Sequence, residues 1–293
     1  MNKQLKERLQ SLKSQYDSLK ESKETLLAMV DEAEIPENVY NSNAIENSTL
    51  TLKETEKILL EMELSRDVSV REVFEAKNLA RVIAYTREKS PTEALTLERI
   101  LLLHQMLIGG IDDTIAGRFR KTGEYVRVGD YIAPAPEHVA RMVEAALAAY
   151  GVGSAHFVED IARFHLDFES THPFCDGNGR IGRVIINWHL RHIGFPRIII
   201  RDKEKKAYYQ AFTAYREDKN TVPMEKMLAS ALAESLHKRI AYLMGQRIIT
   251  LADYIKERAL HAAGVTNAAR RQTIPAFREK GVWKISAEFP YKK

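Results

Sequence analysis

The residues best suited to chemistry in this chain lie in one stretch of twelve, His172-Pro173-Phe174-Cys175-Asp176-Gly177-Asn178-Gly179-Arg180-Ile181-Gly182-Arg183. It combines a histidine, a carboxylate, an asparagine between two glycines, and two arginines three residues apart. Glycines let phosphate oxygens approach the backbone, arginines neutralise them, and a carboxylate offers the hard oxygen that Mg²⁺ prefers. The segment therefore predicts a site for a polyphosphate and its metal, with a base at its edge.

Two helices are expected to position this segment. On its N-terminal side, one apolar stripe predicts a helix from about 155 to 170 that delivers His172, formed by Phe157, Ile161, Phe164 and Phe168. On its C-terminal side, apolar residues with helical spacing place the glycines where a loop becomes a helix, namely Ile181, Val184, Ile185 and Trp188. The first amide groups of a helix lack partners within it and the helix dipole attracts anions, so we expect phosphates at this N-terminus.

The twelve residues resemble the signature of the Fic family, which is His-Pro-Phe, any residue, Asp or Glu, Gly-Asn-Gly-Arg, two residues, Arg. Every specified position is filled here, and the resemblance extends over roughly residues 35 to 240. Most Fic proteins transfer AMP from ATP to a hydroxyl on a target protein, and a minority transfer other phosphate-containing groups. The resemblance therefore implies a protein adenylyltransferase with ATP as co-substrate and an unidentified protein target.

The resemblance also implies a role for each residue of the segment. His172 would be the general base toward the target hydroxyl, and Asp176 would bind Mg²⁺. Gly177, Asn178 and Gly179 would hold the α- and β-phosphates. Arg180 and Arg183 would neutralise the β/γ end of the nucleotide. Phe174 is expected to anchor the loop in the core, and Cys175, the only cysteine, is expected to be an inert apolar residue.

A second motif lies far upstream, at Ser42-Asn43-Ala44-Ile45-Glu46-Asn47. It resembles the inhibitory signature of Fic proteins, Ser or Thr, three residues, Glu, then Gly or Asn. The resemblance implies that Glu46 makes a bidentate pair with Arg183 and occupies the place of the γ-phosphate. The alternative is that Glu46 is a surface helix residue. In one branch of the family the same glutamate serves the removal of AMP, so a deAMPylase remains an alternative, as does transfer of another nucleotide or phosphocholine.

Between residues 117 and 136 the helical pattern gives way to glycines and alternating residues, which predicts a short hairpin or flap. In Fic proteins this flap holds the target by strand addition. The residues that would dock the target here are Lys121, Thr122, Gly123, Glu124, Tyr125, Val126 and Arg127. Main-chain pairing reads little sequence, so the flap does not identify the target.

The expected fold class is all-α, a Fic fold with a β-hairpin flap and a small C-terminal module. We expect an N-terminal helical region over 1–94 with the inhibitory helix at about 37–47, a catalytic core over 95–244, and a tail over 245–293. Pro36 is expected to end the first helical element. In the tail, one helix is expected from about Leu251 to near Gly264, a second from an N-cap at Thr273, and a strand over 281–286.

Both termini leave alternatives open. Leu5, Leu9, Leu12, Tyr16 and Leu19 have coiled-coil spacing, so the first helix either docks on its own domain or mediates homodimerisation. The tail resembles a winged helix and carries the basic residues Arg270, Arg271, Arg278, Lys280 and Lys284. They form either a solvated face or a DNA-binding surface, in which case the Fic domain would be the sensor of a DNA-binding regulator.

Composition sets broad limits. Hydrophobic residues make up 45% and charged residues 29%, as in ordinary globular proteins, and the net charge of +4 does not by itself argue for nucleic acid. The one cysteine excludes an internal disulfide and a cysteine-based metal site. No apolar stretch reaches the length of about 20 residues that spans a bilayer, and no secretory signal is recognisable. The expected location is the cytoplasm, without a membrane partner.

Overall fold

The computed structural model describes residues 3–64, 67–129, 131–151 and 153–291 and is mainly helical. In chain order the elements are α1 (Lys3–Lys20), α2 (Glu24–Ala33), α3 (Ile35–Ile45), α4 (Leu52–Glu56), a π-helical turn (Lys57–Glu61), α5 (Val70–Lys89), α6 (Leu97–Ile108), β1 (Arg127–Val128), β2 (Tyr131–Ile132), α7 (Pro136–Ala149), α8 (Phe157–Thr171), α9 (Asn178–His192), a 3-10 turn (Asp202–Glu204), α10 (Lys205–Asp218), α11 (Val222–Leu243), β3 (Ile248–Thr250), α12 (Leu251–Glu257), α13 (Ala262–Arg270), β4 (Phe277–Glu279) and β5 (Val282–Ser286). The helical fold class is confirmed. The chain divides into a unit of residues 35–226 and a unit of residues 1–34 with 227–293.

The core of the 35–226 unit is built from the apolar stripes that flank the twelve-residue segment. Phe164 and Phe168 of α8 and Ile181, Ile185 and Trp188 of α9 are all buried in one cluster with residues of α5, α6 and α7. The indole nitrogen of Trp188 donates to the carbonyl of Glu93 at 3.1 Å, which satisfies its polar atom inside the core. Burying a large apolar side chain contributes about 1.5–3 kcal/mol, so these stripes fix α8 against α9.

The break between α8 and α9 is set by two residues in the left-handed backbone region. His172 has φ 48° and ends α8, and Gly177 has φ 80° and precedes α9. A left-handed residue cannot continue a right-handed helix, so the loop between them turns the chain back. The two predicted helices and the loop between them are therefore confirmed.

The predicted flap is a two-stranded antiparallel hairpin. Arg127 pairs with Ile132 and Val128 with Tyr131. Asp130, in the expected turn between the strands, lies outside the described residues. The side chains of Tyr125 and Ile132 are exposed, so the hairpin projects from the helical core.

The inhibitory helix differs in its bounds from the expectation. Pro36 does not end the preceding helical element, because α2 already ends at Ala33 and Pro36 lies in the first turn of α3. Proline is tolerated there since the first amide groups of a helix have no partner within it. Glu46 and Asn47 follow α3 in a turn, with the amide of Glu46 donating to the carbonyl of Asn43 at 2.9 Å.

In the other unit, Leu9 and Tyr16 of α1 are buried, while Leu5, Leu12 and Leu19 are partly buried. This burial within one chain favours a helix that docks on its own domain. Arg239 on α11 is 1% exposed. Its guanidinium donates at 2.5 Å to the carboxylate of Asp31, which lies on α2, and at 2.8 Å to that of Glu34, which caps the end of α2. Such a buried ion pair links α2 to α11.

The tail is a three-stranded antiparallel sheet in the order β3-β5-β4, with α12 and α13 between its first two strands in the chain. The predicted strand is confirmed as β5, but the helix expected from Thr273 is wrong. Thr273 instead closes the end of α13, since its amide donates to the carbonyl of Ala268 at 2.9 Å. Gln272, with φ 54° and its amide group bonded to the carbonyls of Ala269 and Ala276, holds this turn. Gly264 lies inside α13 and does not end a helix.

Among the described residues, no helix combines the length and apolar character that crossing a bilayer requires.

Candidate functional site

His172 lies at the tight bend that ends α8. Its amide donates to the carbonyl of Phe168 at 2.9 Å, and its own carbonyl accepts from Nε of Arg120 at 2.8 Å. The left-handed conformation costs a non-glycine residue about 1–2 kcal/mol, so these bonds hold the histidine in a position that it would not adopt alone. The bend directs the chain from α8 into the loop that leads to α9.

Phe174 anchors the loop, as expected from the sequence. Its ring is fully buried and stacks on the ring of His104, with centroids 3.7 Å apart. The Nδ1 atom of His104 accepts from the amide of Gly117 at 3.0 Å, so Nε2 carries the proton and donates to the carbonyl of Asp176 at 3.0 Å. Burial lowers the pKa of His104 to about 4, which keeps the ring neutral and preserves this pattern at neutral pH.

Asn178 closes the loop on itself. Its side-chain oxygen accepts from the amide of Phe174 at 2.9 Å and its nitrogen donates to the carbonyl of the same residue at 2.8 Å. The side chain was expected to hold a phosphate, but both of its polar atoms contact the backbone. Gly177 likewise faces inward, because a β-carbon there would lie 3.1 Å from Leu107, and its positive φ favours glycine.

Gly179, in the first turn of α9, faces the inhibitory motif. A β-carbon at Gly179 would lie 2.3 Å from Oε1 of Glu46 and 3.1 Å from Nη1 of Arg183. The carboxylate of Glu46 therefore lies against the N-terminal end of α9, where the helix dipole favours negative charge. Any side chain at position 179 would displace it.

Arg183 and the inhibitory motif meet as the resemblance implies. Nη2 of Arg183 donates to Oε1 of Glu46 at 2.9 Å and to the carbonyl of Ser42 at 2.7 Å, and its Nε donates to the Ser42 hydroxyl at 2.9 Å. The contact with the carboxylate joins one oxygen to Nη2 and is not the expected bidentate pair, while Ser42 takes Nε and a second bond from Nη2. Asn47 is held separately, since its side-chain oxygen accepts from Lys205 at 2.7 Å.

Asp176 and Arg180 belong to a cluster of charges with the start of α5. The guanidinium of Arg180 is 3.1 Å from Glu75 and 3.1 Å from Asp176, and Arg71 contacts both carboxylates. Arg180 is buried, so its guanidinium is committed to these two acids, whereas the sequence placed it on the phosphates. The Asp176 carboxylate remains partly exposed beside it.

One cavity of about 740 Å³ adjoins the site, a volume typical of ligand pockets. Four residues from the two motifs line it: Glu46, Asn47, His172 and Gly179. From the flap it is lined by Arg127, Val128, Gly129 and Tyr131, while residues 121–126, which are all described, do not line it. The cavity therefore brings the expected base, the α9 N-terminus and part of the flap around one space.

His172 and Glu169 line the cavity and have displaced pKa values. Burial lowers the pKa of His172 to about 4, and the nearby Arg120 acts in the same direction, so the imidazole is neutral at neutral pH. Burial raises the pKa of Glu169 to about 8, with the charge of Glu46 adding to the shift. A neutral imidazole is the form that accepts a proton.

Sequence reasoning missed several residues of the site. One face of α10 forms a wall of the cavity, with Lys205, Tyr208, Tyr209, Phe212, Thr213 and Arg216. Their spacing of three and four residues was a usable signal for a helix face, although it equally describes a core stripe. Arg71, His104 and Arg120 lie outside both motifs and carried no signal of their own.

The first part of the flap is held by one ion pair and by a turn of its own backbone. The carboxylate of Glu124 accepts two bonds from Arg118, at 2.7 and 2.8 Å, and one from the amide of Lys121 at 2.7 Å. Lys121, Thr122, Gly123, Tyr125 and Arg127 are exposed, and Val126 is partly exposed. The carbonyls of Lys121, Glu124 and Val126 accept hydrogen bonds within the chain, and docking of a target strand on this segment stays a prediction.

Comparisons with known proteins agree with this geometry. Residues 94–190 match the model of the Fic/DOC family. The chain is 32% identical over 179 residues to "Protein adenylyltransferase Fic" of Nematostella vectensis, covering 59% of this chain and 42% of that protein. It is 29% identical over 288 residues to the protein of the same name from Drosophila erecta, covering 94% of this chain and 57% of that protein. The chain thus spans about half the length of these relatives.

Solved structures show the same fold. A Fic domain containing signaling protein from Bacteroides thetaiotaomicron superposes with a TM-score of 0.74 at 24% identity, covering 82% of this chain and 98% of that one. Fic-1 from C. elegans superposes with a TM-score of 0.68 at 23% identity, covering 82% and 71%. The family match lies on the helices and loop that carry the candidate site. Residues 94–190 therefore form a Fic domain.

Proposed function

We propose that this protein is a protein adenylyltransferase that transfers AMP from ATP to a hydroxyl side chain of a target protein. The observation that carries the proposal is the cavity lined by His172, by Gly179 at the N-terminus of α9 and by Glu46, whose carboxylate accepts from Arg183. The names of the similar proteins from Nematostella and Drosophila, both "Protein adenylyltransferase Fic", support it. The base, the anion site and a space for the nucleotide are then parts of one site.

The transfer follows from the positions of these groups. His172 accepts the proton of the target hydroxyl, whose oxygen forms a bond to the α-phosphorus. The bond from that phosphorus to the β-phosphate bridge breaks, and pyrophosphate leaves. The amide groups of the first turn of α9 and the guanidinium of Arg183 stabilise the negative charge. Positioning and electrostatics supply most of the catalysis in such transfers.

Asp176 fits the role of a Mg²⁺ ligand. Its carboxylate is a hard oxygen donor, and Mg²⁺ is usually held by one or two carboxylates together with substrate phosphates. Among the described residues no group of three or more acidic, histidine or cysteine side chains forms a metal cage. When bound, Mg²⁺ would supply charge neutralisation for the phosphates.

Glu46 is the proposed brake. Its carboxylate lies between Gly179 and Arg183, against the α9 N-terminus, where the γ-phosphate would need the same guanidinium. A nucleotide that competes with this carboxylate settles in a different position, which takes its α-phosphate out of line with the hydroxyl. Inhibition would then last until a signal moves α3 or its C-terminal turn.

The experiment compares wild type, Glu46→Gly and Glu46→Gly/His172→Ala with α-labelled ATP and Mg²⁺, scoring label on the protein and on cell lysate. We expect strong labelling only by Glu46→Gly, because it lacks the brake and keeps the base. Absence of labelling in all three would contradict AMP transfer. A panel of other donors, and of AMP-modified proteins, would then test transfer of another nucleotide or phosphocholine and removal of AMP.

A metal prediction follows from the contact of Arg71 with Asp176. The guanidinium neutralises the carboxylate that Mg²⁺ needs, so Arg71→Gln should lower the Mg²⁺ concentration required for half-maximal binding of a non-hydrolysable ATP analogue. An exposed ion pair is worth about 0.2–1 kcal/mol, which corresponds to a shift of roughly 1.4–5-fold. Arg163→Gln, which removes an exposed pair with Glu159 on α8, is the control. A higher Mg²⁺ requirement in Arg71→Gln would contradict competition.

The other expectations about partners stay predictions. DNA binding by the tail loses support from two of its basic residues, since Arg278 pairs with Glu234 at 2.7 Å and Lys284 with Glu279 at 2.6 Å. Arg270 and Arg271 are exposed. Homodimerisation through α1 and a cytoplasmic location likewise stay predictions.

A further inference from the structure

Arg120 is a buried arginine whose guanidinium, among the described residues, donates to backbone carbonyls alone. The residue is 3% exposed and lies between the start of the flap and the loop that carries His172. Its guanidinium donates to four carbonyl oxygens, those of His172 at 2.8 Å, Pro134 at 2.8 Å, Glu124 at 3.0 Å and Thr171 at 3.3 Å. A buried charge is costly unless it is fully bonded, so this set of bonds must form together.

The four acceptors belong to two functional elements. Glu124 precedes β1 and Pro134 follows β2, so their carbonyls mark the two stems of the flap hairpin. Thr171 is the last residue of α8, and His172 is its left-handed cap. One planar group therefore joins both stems of the flap to the backbone of the expected base.

Neighbouring contacts extend the same connection. The amide of Arg120 donates to the carbonyl of Pro173 at 3.0 Å, directly after the base. Phe119 lies against the buried ring of Phe174 with centroids 5.3 Å apart. The backbone and side chains of residues 119 and 120 thus follow the loop for three residues, from His172 to Phe174.

Only arginine supplies this arrangement. Its guanidinium carries five N–H donors in a fixed plane, whereas a lysine ammonium has three donors on one atom and a flexible stem. A carbonyl left without its donor in this buried place would be unsatisfied. The left-handed backbone of His172 would then lose the bond to its carbonyl that helps to hold it.

We propose that Arg120 is a positioning residue that holds the flap and His172 in a fixed relative position. A target segment paired with the flap then places its hydroxyl within reach of the His172 imidazole. The role in positioning the hydroxyl rests on the proposed function, while the mechanical connection does not. A displacement of about 1 Å between reacting groups can cost about 10²-fold in rate. Loss of Arg120 should therefore lower turnover without weakening nucleotide binding.

The first test measures amide hydrogen exchange in the nucleotide-free protein, which does not depend on any activity. Arg120→Gln should increase exchange by about 10-fold or more in two separate segments together, residues 121–134 and 169–178, because local opening governs exchange. Arg239→Gln, which removes another buried arginine but contacts neither segment, is the matched control for general destabilisation. The proposal is overturned if only one segment responds, or if Arg239→Gln gives the same pattern.

The second test uses kinetics in the Glu46→Gly background. Arg120→Gln should lower kcat about 10²-fold with the ATP dissociation constant unchanged within about 2-fold, and Arg120→Lys should recover part of the loss. Guanidinium ion should restore part of the activity of Arg120→Ala. Equal losses in kcat and ATP binding would contradict a positioning role.

If no variant transfers AMP, the proposed function fails, whereas the exchange experiment still tests whether Arg120 connects the flap to the His172 loop. Should Arg120→Gln not fold, Arg120→Lys replaces it in both experiments.

Discussion

The Glu46→Gly protein is expected to bind ATP about 10–100-fold more tightly than wild type. A hydrogen bond to a charged group contributes about 1.5–3 kcal/mol, and 1.4 kcal/mol corresponds to a factor of ten. In the wild type Arg183 is bonded to Glu46 at 2.9 Å, so ATP must displace a carboxylate to reach that guanidinium. Isothermal titration with ATP and Mg²⁺ measures the difference directly.

The nucleotide and the variant both offer controls. ADP lacks the γ-phosphate, so its affinity should change by no more than about 2-fold between wild type and Glu46→Gly. Glu46→Gln keeps the size of the side chain and removes its charge, and it should give an intermediate affinity. Ser42→Ala removes an uncharged acceptor of Arg183 at 2.9 Å and leaves the carboxylate, so it should change ATP affinity little. Equal gains for ATP and ADP would mean that Glu46 does not compete for the γ-phosphate.

The local part of this site could be predicted from the sequence because its signals are local. The stripes of α8 and α9 have helical periodicity on either side of a glycine-containing segment, so two helices and a connecting loop follow from spacing alone. His172 at the end of one helix and Gly179 at the start of the next are then neighbours by geometry.

Contacts between distant segments could not be derived in this way. Glu46 and Arg183 are 137 residues apart, and only the resemblance to a known family suggested that they meet. Arg180 was placed on the phosphates because its charge and position on α9 are suitable. In the structure α5 brings Glu75 within 3.1 Å of it, and no periodicity predicts which acid faces a given arginine. Arg120 occupies a polar segment without repeats, so its four carbonyl partners carried no signal at all.

In the tail, the sequence carries a local signal for the start of a helix, but a side-chain contact elsewhere in the segment determines the structure. Thr273 followed by an apolar residue and proline is a typical helix start. The amide group of Gln272, bonded to Ala269 and Ala276, instead stabilises a turn that leads into β4. Pairing of β4 with β5 then requires an extended chain from Phe277 onward.

Removal of the base has the largest expected effect on turnover. In the Glu46→Gly background, His172→Ala should lower kcat by about 10²–10⁴-fold, the usual contribution of a general base. ATP affinity should change by no more than about 2-fold, because the imidazole acts on the target hydroxyl and not on the nucleotide. His156→Ala, on an exposed histidine at the N-terminal end of α8, is the matched control and should leave kcat unchanged.

The pH dependence of the reaction tests the environment of His172. Its pKa is lowered to about 4 by burial, with Arg120 acting in the same direction and the charges of Glu46 and Asp176 opposing it. A base works in its neutral form, so activity is retained above the folded pKa and is lost as the pH falls through it. We therefore expect kcat/KM of Glu46→Gly to be flat between about pH 6 and 8 and to fall only as the pH approaches 4. Circular dichroism at each pH separates this limb from acid unfolding. An acid limb near the ordinary histidine pKa of about 6.5 would mean that the imidazole is solvated when the enzyme works, and that the bend at the end of α8 opens before the target binds.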